Sequence, residues 1–396
     1  MKIAFWFTTP KKFDPANLDN EIFGGAEISA ICLAKELAID NTVYLFGNCV
    51  SDDWETFTYI YNGIILRNYS TIKYCDLDVL IVVRPSNVLH PANLPHRPKV
   101  VILWTGDESS QPTNQILWEK EAVENIDLIV TKSNWQRQDL LDKFLLLDSN
   151  QIKVMYNGFD DSFFIDNLKP VIKPKFICAS TIYRGVYNFV NIWPEIKERI
   201  PDATLDIFAS TKLYDSDSVN DNKYKALFEP LSSLDGITLK DPIPHNKFLI
   251  NLQNYYAMLY PNLAFNESSC GVVLEAFGYR VQVVTSYKAG LKETIDISPY
   301  MSFGISPDFE YKKYCNTFIN IVEAIWKSRK EKEMLKLLKQ EQRRITENYS
   351  WKIVSKKWFQ LLETLLKKSK GSQKSSLVSL ADIPRTQDLR STIITH

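Results

Sequence analysis

The stretch Tyr260-Pro-Asn-Leu-Ala-Phe-Asn-Glu267-Ser-Ser-Cys-Gly-Val-Val-Leu-Glu275-Ala-Phe-Gly-Tyr-Arg280 reads in turn as the end of a strand, a polar loop and the opening of a helix. The apolar run stops at Tyr260-Pro261, the loop carries Glu267, and the helix starts near Ser269 to Gly271 with Glu275 in its early turns. Strand, loop and helix in this order are the unit of an α/β fold. The first N–H groups of a helix lack an internal partner and bear partial positive charge, so such a turn suits a diphosphate. Two carboxylates flank it here. Ionised carboxylates accept hydrogen bonds from sugar and ribose hydroxyls, so Glu267 and Glu275 can take different ends of one nucleotide-sugar. The same residues admit a plainer account, in which Glu267 is merely exposed and Glu275 pairs with a neighbouring Lys or Arg.

The unit recurs on both sides. Ile3–Phe7, Val43–Phe46, Val79–Val83, Val100–Trp104, Leu128–Thr131 and Val154–Tyr156 are short and apolar throughout, as in a parallel sheet covered on both faces. Between the first two, Ile28, Ile31, Ala34 and Leu37 mark one face of a helix over Ala26 to Ala38. The pattern breaks at Ile165-Asp-Asn-Leu-Lys-Pro-Val-Ile-Lys-Pro174 and restarts at Phe176–Ser180. Beyond it come a helix over Asn188–Ile200, a strand Thr204–Phe208, a helix near Asn222–Leu231, a strand Ala257–Tyr260 and a strand Val281–Thr285. Glu310 to Leu366 reads as almost all helix, with Lys327 to Arg344 a solvated helix face. The expectation is α/β, with two doubly wound halves at 1–168 and 174–345, a helix at 346–367 and a disordered tail at 368–396.

With 396 residues the chain is long enough for two domains of about 150 residues each. Lys+Arg and Asp+Glu both total 47, so no basic domain points to nucleic acid. Cys32, Cys49, Cys75, Cys178, Cys270 and Cys315 are scattered without a C-x-x-C, as buried thiols of a reducing compartment are, which points to the cytoplasm. Ile3 to Phe7 is too short for a secretory signal, and no apolar run approaches the roughly 18 residues of a membrane span. Membrane contact is at most peripheral.

None of the 13 glycines stand two residues apart, so there is no G-x-G-x-x-G fingerprint, and no G-x-x-x-x-G-K-[ST] loop occurs. His90, His96, His245 and His396 form no H-E-x-x-H, and no metal centre is expected. Asp76-Leu-Asp78 and Asp215-Ser-Asp217 have a spacing that can hold a divalent metal on a nucleotide-sugar, but such patterns often arise by chance, and the first reads as a solvated strand start.

The Glu267 and Glu275 pair has the E-x7-E spacing, and here the chain resembles the retaining glycosyltransferases of family 4. Phe23-Gly24-Gly25-Ala26-Glu27 resembles their G-G-x-E loop, Ser133-Asn134-Trp135 their S-x-W/F turn, and Tyr156-Asn157-Gly158-Phe159 their N-G close of the first domain. Ser180-Thr-Ile-Tyr-Arg184-Gly185 is similar to their second-domain opening, and Gly290-Leu-Lys-Glu293 to the loop after the second glutamate. These elements stand in family order from Lys2 to about Leu366. The resemblance implies the GT-B fold, two Rossmann-like domains facing across a cleft with Trp351 to Leu366 crossing back onto the first.

It also implies a hexosyltransferase-type enzyme of glycan or polysaccharide biosynthesis, whose donor is a nucleoside diphosphate sugar, a UDP- or GDP-sugar first, and whose acceptor is a glycan or other hydroxyl. No metal or resident cofactor is implied. Carried over by motif, Glu275 takes the ribose hydroxyls, Glu267 the donor-sugar hydroxyls, and Arg184 neutralises the diphosphate. The backbone N–H groups of Ser269, Cys270, Gly271 and Val272 lie near the phosphates, and Gly24 and Gly25 let the first-domain loop approach them. The leaving phosphate oxygen accepts the acceptor's proton in a front-face route.

Two departures stand out. Ala179-Ser180-Thr181 lacks an Arg that many members carry, and Trp104-Thr-Gly106-Asp107 lacks their His, which leaves Asp107 as the acceptor-side or sugar contact, or simply a cap of the next turn. They motivate a rival, a catalytically silent GT-B protein that binds a nucleotide or glycan. Sugar-nucleotide epimerases and glycan phosphorylases, which share the architecture, are a second. The oligomeric state is not legible.

Overall fold

A computed structural model of the protein describes residues 1–7, 12–48, 58–166, 171, 173–209, 226 and 228–381. Cys49, Asp215-Ser-Asp217, residues 222–225 and 227 of the helix expected over Asn222–Leu231 and residues 382–396 of the expected tail lie outside the described residues.

The apolar runs of the first half assemble into one sheet: β1 (Lys2–Phe7), β2 (Thr42–Gly47), β3 (Tyr59–Tyr61), β4 (Ile64–Asn68), β5 (Val79–Val83), β6 (Val100–Trp104), β7 (Leu128–Thr131) and β8 (Ile152–Val154). Their order is β3-β4-β2-β1-β5-β6-β7-β8, parallel except for the β3–β4 hairpin. All residues of β5 and β6 are buried, because α1 (Gly25–Leu37) and its neighbours cover the sheet on both sides. The expected strand at Val154–Tyr156 shifts to Ile152–Val154, since Tyr156 leaves the sheet and its hydroxyl donates to Glu293 at 3.1 Å.

The second half repeats the plan with β9 (Lys175–Ala179), β10 (Thr204–Phe208), β11 (Ile237–Lys240), β12 (Ala257–Tyr260), β13 (Gln282–Ser286) and β14 (Ser302–Ile305), all parallel in the order β11-β10-β9-β12-β13-β14. In local numbering this is 3-2-1-4-5-6, the doubly wound order. The first half also carries α2 (Lys120–Glu124) and α3 (Asn134–Lys143), and the described helices of the second are α4 (Phe189–Arg199), α5 (His245–Leu252), α6 (Gly271–Gly278), α7 (Leu291–Asp296), α8 (Tyr311–Lys327) and α9 (Lys332–Tyr349).

The last helix, α10 (Trp351–Ala381), returns to the first sheet. Trp351, Val354, Trp358, Leu361 and Leu362 join the core of β1, β5 and β6, and the Trp358 ring meets Trp104 edge to face at 5.1 Å between centroids. This helix runs past the boundary expected at 367, so residues 368–381 are helical where sequence composition suggested disorder. The chain crosses between the sheets at two points that lie together. The Phe159 N–H donates to the Tyr349 carbonyl at 3.0 Å, and the Trp351 N–H to the Phe159 carbonyl at 3.0 Å.

Candidate functional site

In an open parallel sheet a ligand sits beyond the carboxyl ends of the strands, where the winding reverses. The two reversals here lie between β1 and β5 and between β9 and β12. Both open onto one cavity of about 560 Å³ between the sheets. Gly24, Gly25, Asp107, Arg184, Glu267, Ser269, Cys270, Gly271, Val272 and Glu275 all line it, so the structure brings every sequence-derived site residue together.

On the second-sheet side, α6 begins at Gly271 with Cys270 as its N-cap and no side chain capping it, and Ser269 to Val272 line the cavity, although the Cys270 N–H itself donates to the Thr294 hydroxyl at 3.3 Å. Glu267 is buried, not exposed, and its Oε1 accepts from Arg184 at 2.9 Å and from the Tyr260 hydroxyl at 2.7 Å. Burial, reinforced by the Glu267 charge, holds the Tyr260 phenol well above its usual range, so it stays a donor. The Arg184 guanidinium lies over the Phe265 ring at 4.2 Å. Gly185 follows at φ +96, and a Cβ there would stand 2.3 Å from the Pro261 carbonyl, so only glycine lets the Arg184 turn pack against the end of β12.

Glu275, expected to pair with a Lys or Arg if not with a ligand, instead meets His245 at 2.7 Å. His245 is the first residue of α5. Burial works to lower its pKa, but the charge and hydrogen bond of Glu275 outweigh this and raise it. The imidazole thus fixes one oxygen of Glu275.

The first-sheet wall carries residues that sequence reasoning missed. Arg84, just past β5, holds a left-handed backbone at φ 72, which is rare outside glycine and concentrated at functional sites. It pairs with Glu27 at 3.0 Å and approaches Asp107 at 3.6 Å. Asp107 also accepts from the Thr113 hydroxyl at 2.9 Å, so it belongs to this network and does not cap the turn after it. Lys132, just past β7, is 6% exposed, and its Nζ sits 5.3 Å from the centre of the Trp104 ring. Burial, with the charge of Arg84, lowers its pKa to about 8, against the opposite pull of Asp107, Glu27 and Glu267. No local motif marks Lys132 or Arg84. Their only sequence signal is a cation directly after an apolar strand.

Gly25 has nothing within 4 Å of where its Cβ would stand, so this glycine leaves open space. Asp76 and Asp78, the acidic pair before β5, sit at the opposite end of the strand, where Asp78 takes Lys99 at 2.6 Å and the Lys2 N–H at 2.8 Å. Cys32, Cys75, Cys178, Cys270 and Cys315 are buried free thiols. Among the described residues no helix is long and apolar enough to cross a membrane.

No family model matches the chain, and no curated protein matches it in sequence. Solved structures do. Sucrose-phosphate synthase from Thermosynechococcus elongatus superposes over 93% of this chain and 99% of its own, with a TM-score of 0.68 and 14% identity. HepE from Anabaena, in complex with UDP-glucose, matches over 92% of this chain and 100% of its own, with a TM-score of 0.67 and 14% identity. The fold is GT-B. A glycosyltransferase from Rickettsia africae agrees, over 92% of this chain and 98% of its own, with a TM-score of 0.64 and 15% identity. The GT-B cleft of this chain is closed at one end by contacts between its walls: the Ser268 hydroxyl donates to the Gly106 carbonyl, and Asn266 reaches Glu108 at 3.4 Å.

Proposed function

We propose that the protein is a retaining glycosyltransferase of family 4 that moves a hexosyl unit from a nucleoside diphosphate sugar to a hydroxyl of a glycan or similar acceptor. The observation that carries this reading is that Glu267 and Glu275 bracket the uncapped N-terminus of α6 and face, with Arg184, into one cavity between the two sheets. Arg184 and Glu267 pair with each other at 2.9 Å. A donor satisfies both better, offering phosphate oxygens to the guanidinium and sugar hydroxyls to the carboxylate. Glu275, oriented by His245, is placed for a ribose diol.

Chemistry in such a site is mostly electrostatic. Charge that develops on the leaving diphosphate meets Arg184 and the first N–H groups of α6, which are already in place. The anomeric carbon's bond to the phosphate oxygen breaks, its bond to the acceptor oxygen forms on the same face, and the leaving phosphate oxygen takes the acceptor's proton. Asp107, held by Arg84 and Thr113, stands on the opposite wall for the acceptor or the sugar. The chain's own residues supply each of these roles, so we propose transfer without a metal, in a reducing compartment such as the cytoplasm.

The UDP-glucose held by HepE makes UDP-sugars the first donors to test. Binding and slow hydrolysis of UDP-, GDP-, ADP- and dTDP-sugars are measured with and without EDTA, for the wild type and Glu275→Ala. One donor is expected to bind, to be hydrolysed in the presence of EDTA and to be lost in the variant, and the anomeric configuration of a transfer product then reports retention. If no nucleotide-sugar is cleaved but one still binds, the protein is the silent GT-B binder.

A further inference from the structure

The cavity takes its arginine and lysine side chains from three described residues, Arg84, Lys132 and Arg184. Only Arg184 belongs to the donor-side wall, and it is shared with Glu267. A diphosphate brings at least two negative charges to that wall, beside two carboxylates. Arg84 is occupied by Glu27 and approaches Asp107. Lys132 differs from both. Its ammonium makes no hydrogen bond and no ion pair with the described residues, although the side chain is 94% buried and lines the cavity. Apart from the Trp104 ring, 5.3 Å from Nζ, no described contact offsets the desolvation of this ammonium, and an apolar side chain of the same length would pack there without that cost.

Geometry shows where it is aimed. A Cβ on Gly106 would stand 3.0 Å from Lys132 Cε and 3.1 Å from Nζ, so the ammonium lies against the Gly106 backbone. The Gly106 carbonyl in turn accepts the hydroxyl of Ser268, three residues before α6 begins. Gly271 itself has Asn157 of the first half as its nearest neighbour, 3.9 Å from where its Cβ would be. Lys132 therefore lines the cavity on the facing wall, against the Gly106 backbone that Ser268 of the loop before α6 touches.

We propose that Lys132 is the second cation of the donor diphosphate, supplied across the cleft by the first domain. This rests on the donor-site reading above. The contact can form only when the two walls meet, so Lys132 also ties donor binding to closure of the cleft. The groups facing it are Arg84 at the end of β5, Asp107 after β6, Glu27 on α1 and Glu267 after β12. Its pKa of about 8 adds a signature: the ammonium is charged below that value, so diphosphate affinity falls as pH rises through it.

The test is calorimetric binding of inorganic pyrophosphate, UDP, GDP, uridine and guanosine to the wild type, Lys132→Met and Lys132→Arg, from about pH 6.5 to about pH 9.5. Thermal melts confirm that each variant is folded. Lys132→Met is expected to weaken the diphosphate by about tenfold to a hundredfold near neutral pH and to leave the nucleoside unchanged. Lys132→Arg restores affinity and removes the alkaline decline, because a guanidinium stays charged. If Lys132→Met binds the diphosphate as the wild type does, the proposal is overturned while the donor site, tested by Glu275→Ala, stands. A loss equal for nucleoside and diphosphate, not restored by Arg, marks a packing role and overturns it too. If the wild type binds neither pyrophosphate nor any nucleoside diphosphate, both readings fall together.

Discussion

Glu293 of the second domain caps the helix that Asn134 opens in the first. Its two carboxylate oxygens accept the backbone N–H of Asn134 at 2.9 Å and of Trp135 at 2.7 Å, groups that have no partner inside the helix. The Ser133 side chain takes the N–H of Gln136 at 3.0 Å, so the S-x-W turn is capped once from its own chain segment and once across the cleft. Glu293→Ala is expected to cost about 1 kcal/mol in urea unfolding, a typical cap value, and to increase the radius of gyration in solution scattering. Unchanged scattering and stability would show that the cap does not hold the two walls together.

The His245–Glu275 pair makes stability depend on pH. The folded pKa of His245 lies above the ordinary 6.5. A raised pKa stabilises the fold fully below the unfolded value, and this contribution is lost as pH rises through the folded value. Wild type and Glu275→Gln melted across this range should therefore differ most on the acid side and converge above it. Parallel curves would mean that the pair carries no linked proton.

Gly185→Ala is expected to destabilise the second domain by about 1–3 kcal/mol, since it forces a side chain into a left-handed backbone against the Pro261 carbonyl. Urea midpoints measure it. The same change displaces Arg184, so donor binding should weaken as well.

Arg184→Ala is expected to lower kcat by about a hundredfold to a thousandfold on whichever donor proves active, the usual loss when one preorganised stabiliser of the leaving charge is removed. Arg184→Lys should recover only part, because an ammonium lacks the planar fork that grips phosphate and lies flat on Phe265. Equal kcat in all three proteins would place the leaving-group charge elsewhere.

Much of the architecture was legible because buried parallel strands are locally apolar, as Val79–Val83 and Val100–Trp104 are. The missed strands are those without that property. Ile237–Lys240 and Ser302–Ile305 lie at the sheet edges, the first with no buried residue and the second buried only at its two ends. The β3–β4 hairpin did carry a signal, since Asn62-Gly63 takes positive φ at both residues, the turn that a two-residue hairpin needs. The helix over 368–381 had none, because its lysine- and serine-rich composition is equally that of a solvated coil.

The sequence by itself determined the strand-loop-helix units and the spacing that puts Glu267 and Glu275 on either side of a helix start, since both depend on neighbours a few residues away. Only the tertiary structure decided which groups those carboxylates meet. His245 lies 30 residues from Glu275, Arg184 lies 83 from Glu267, and Glu293 lies 159 from Asn134. Lys132 belongs with them: nothing near it in sequence shows that it lines the cavity against Gly106. Charge and hydrogen bonding act through space, and the folding of two sheets against each other sets the distances over which they act.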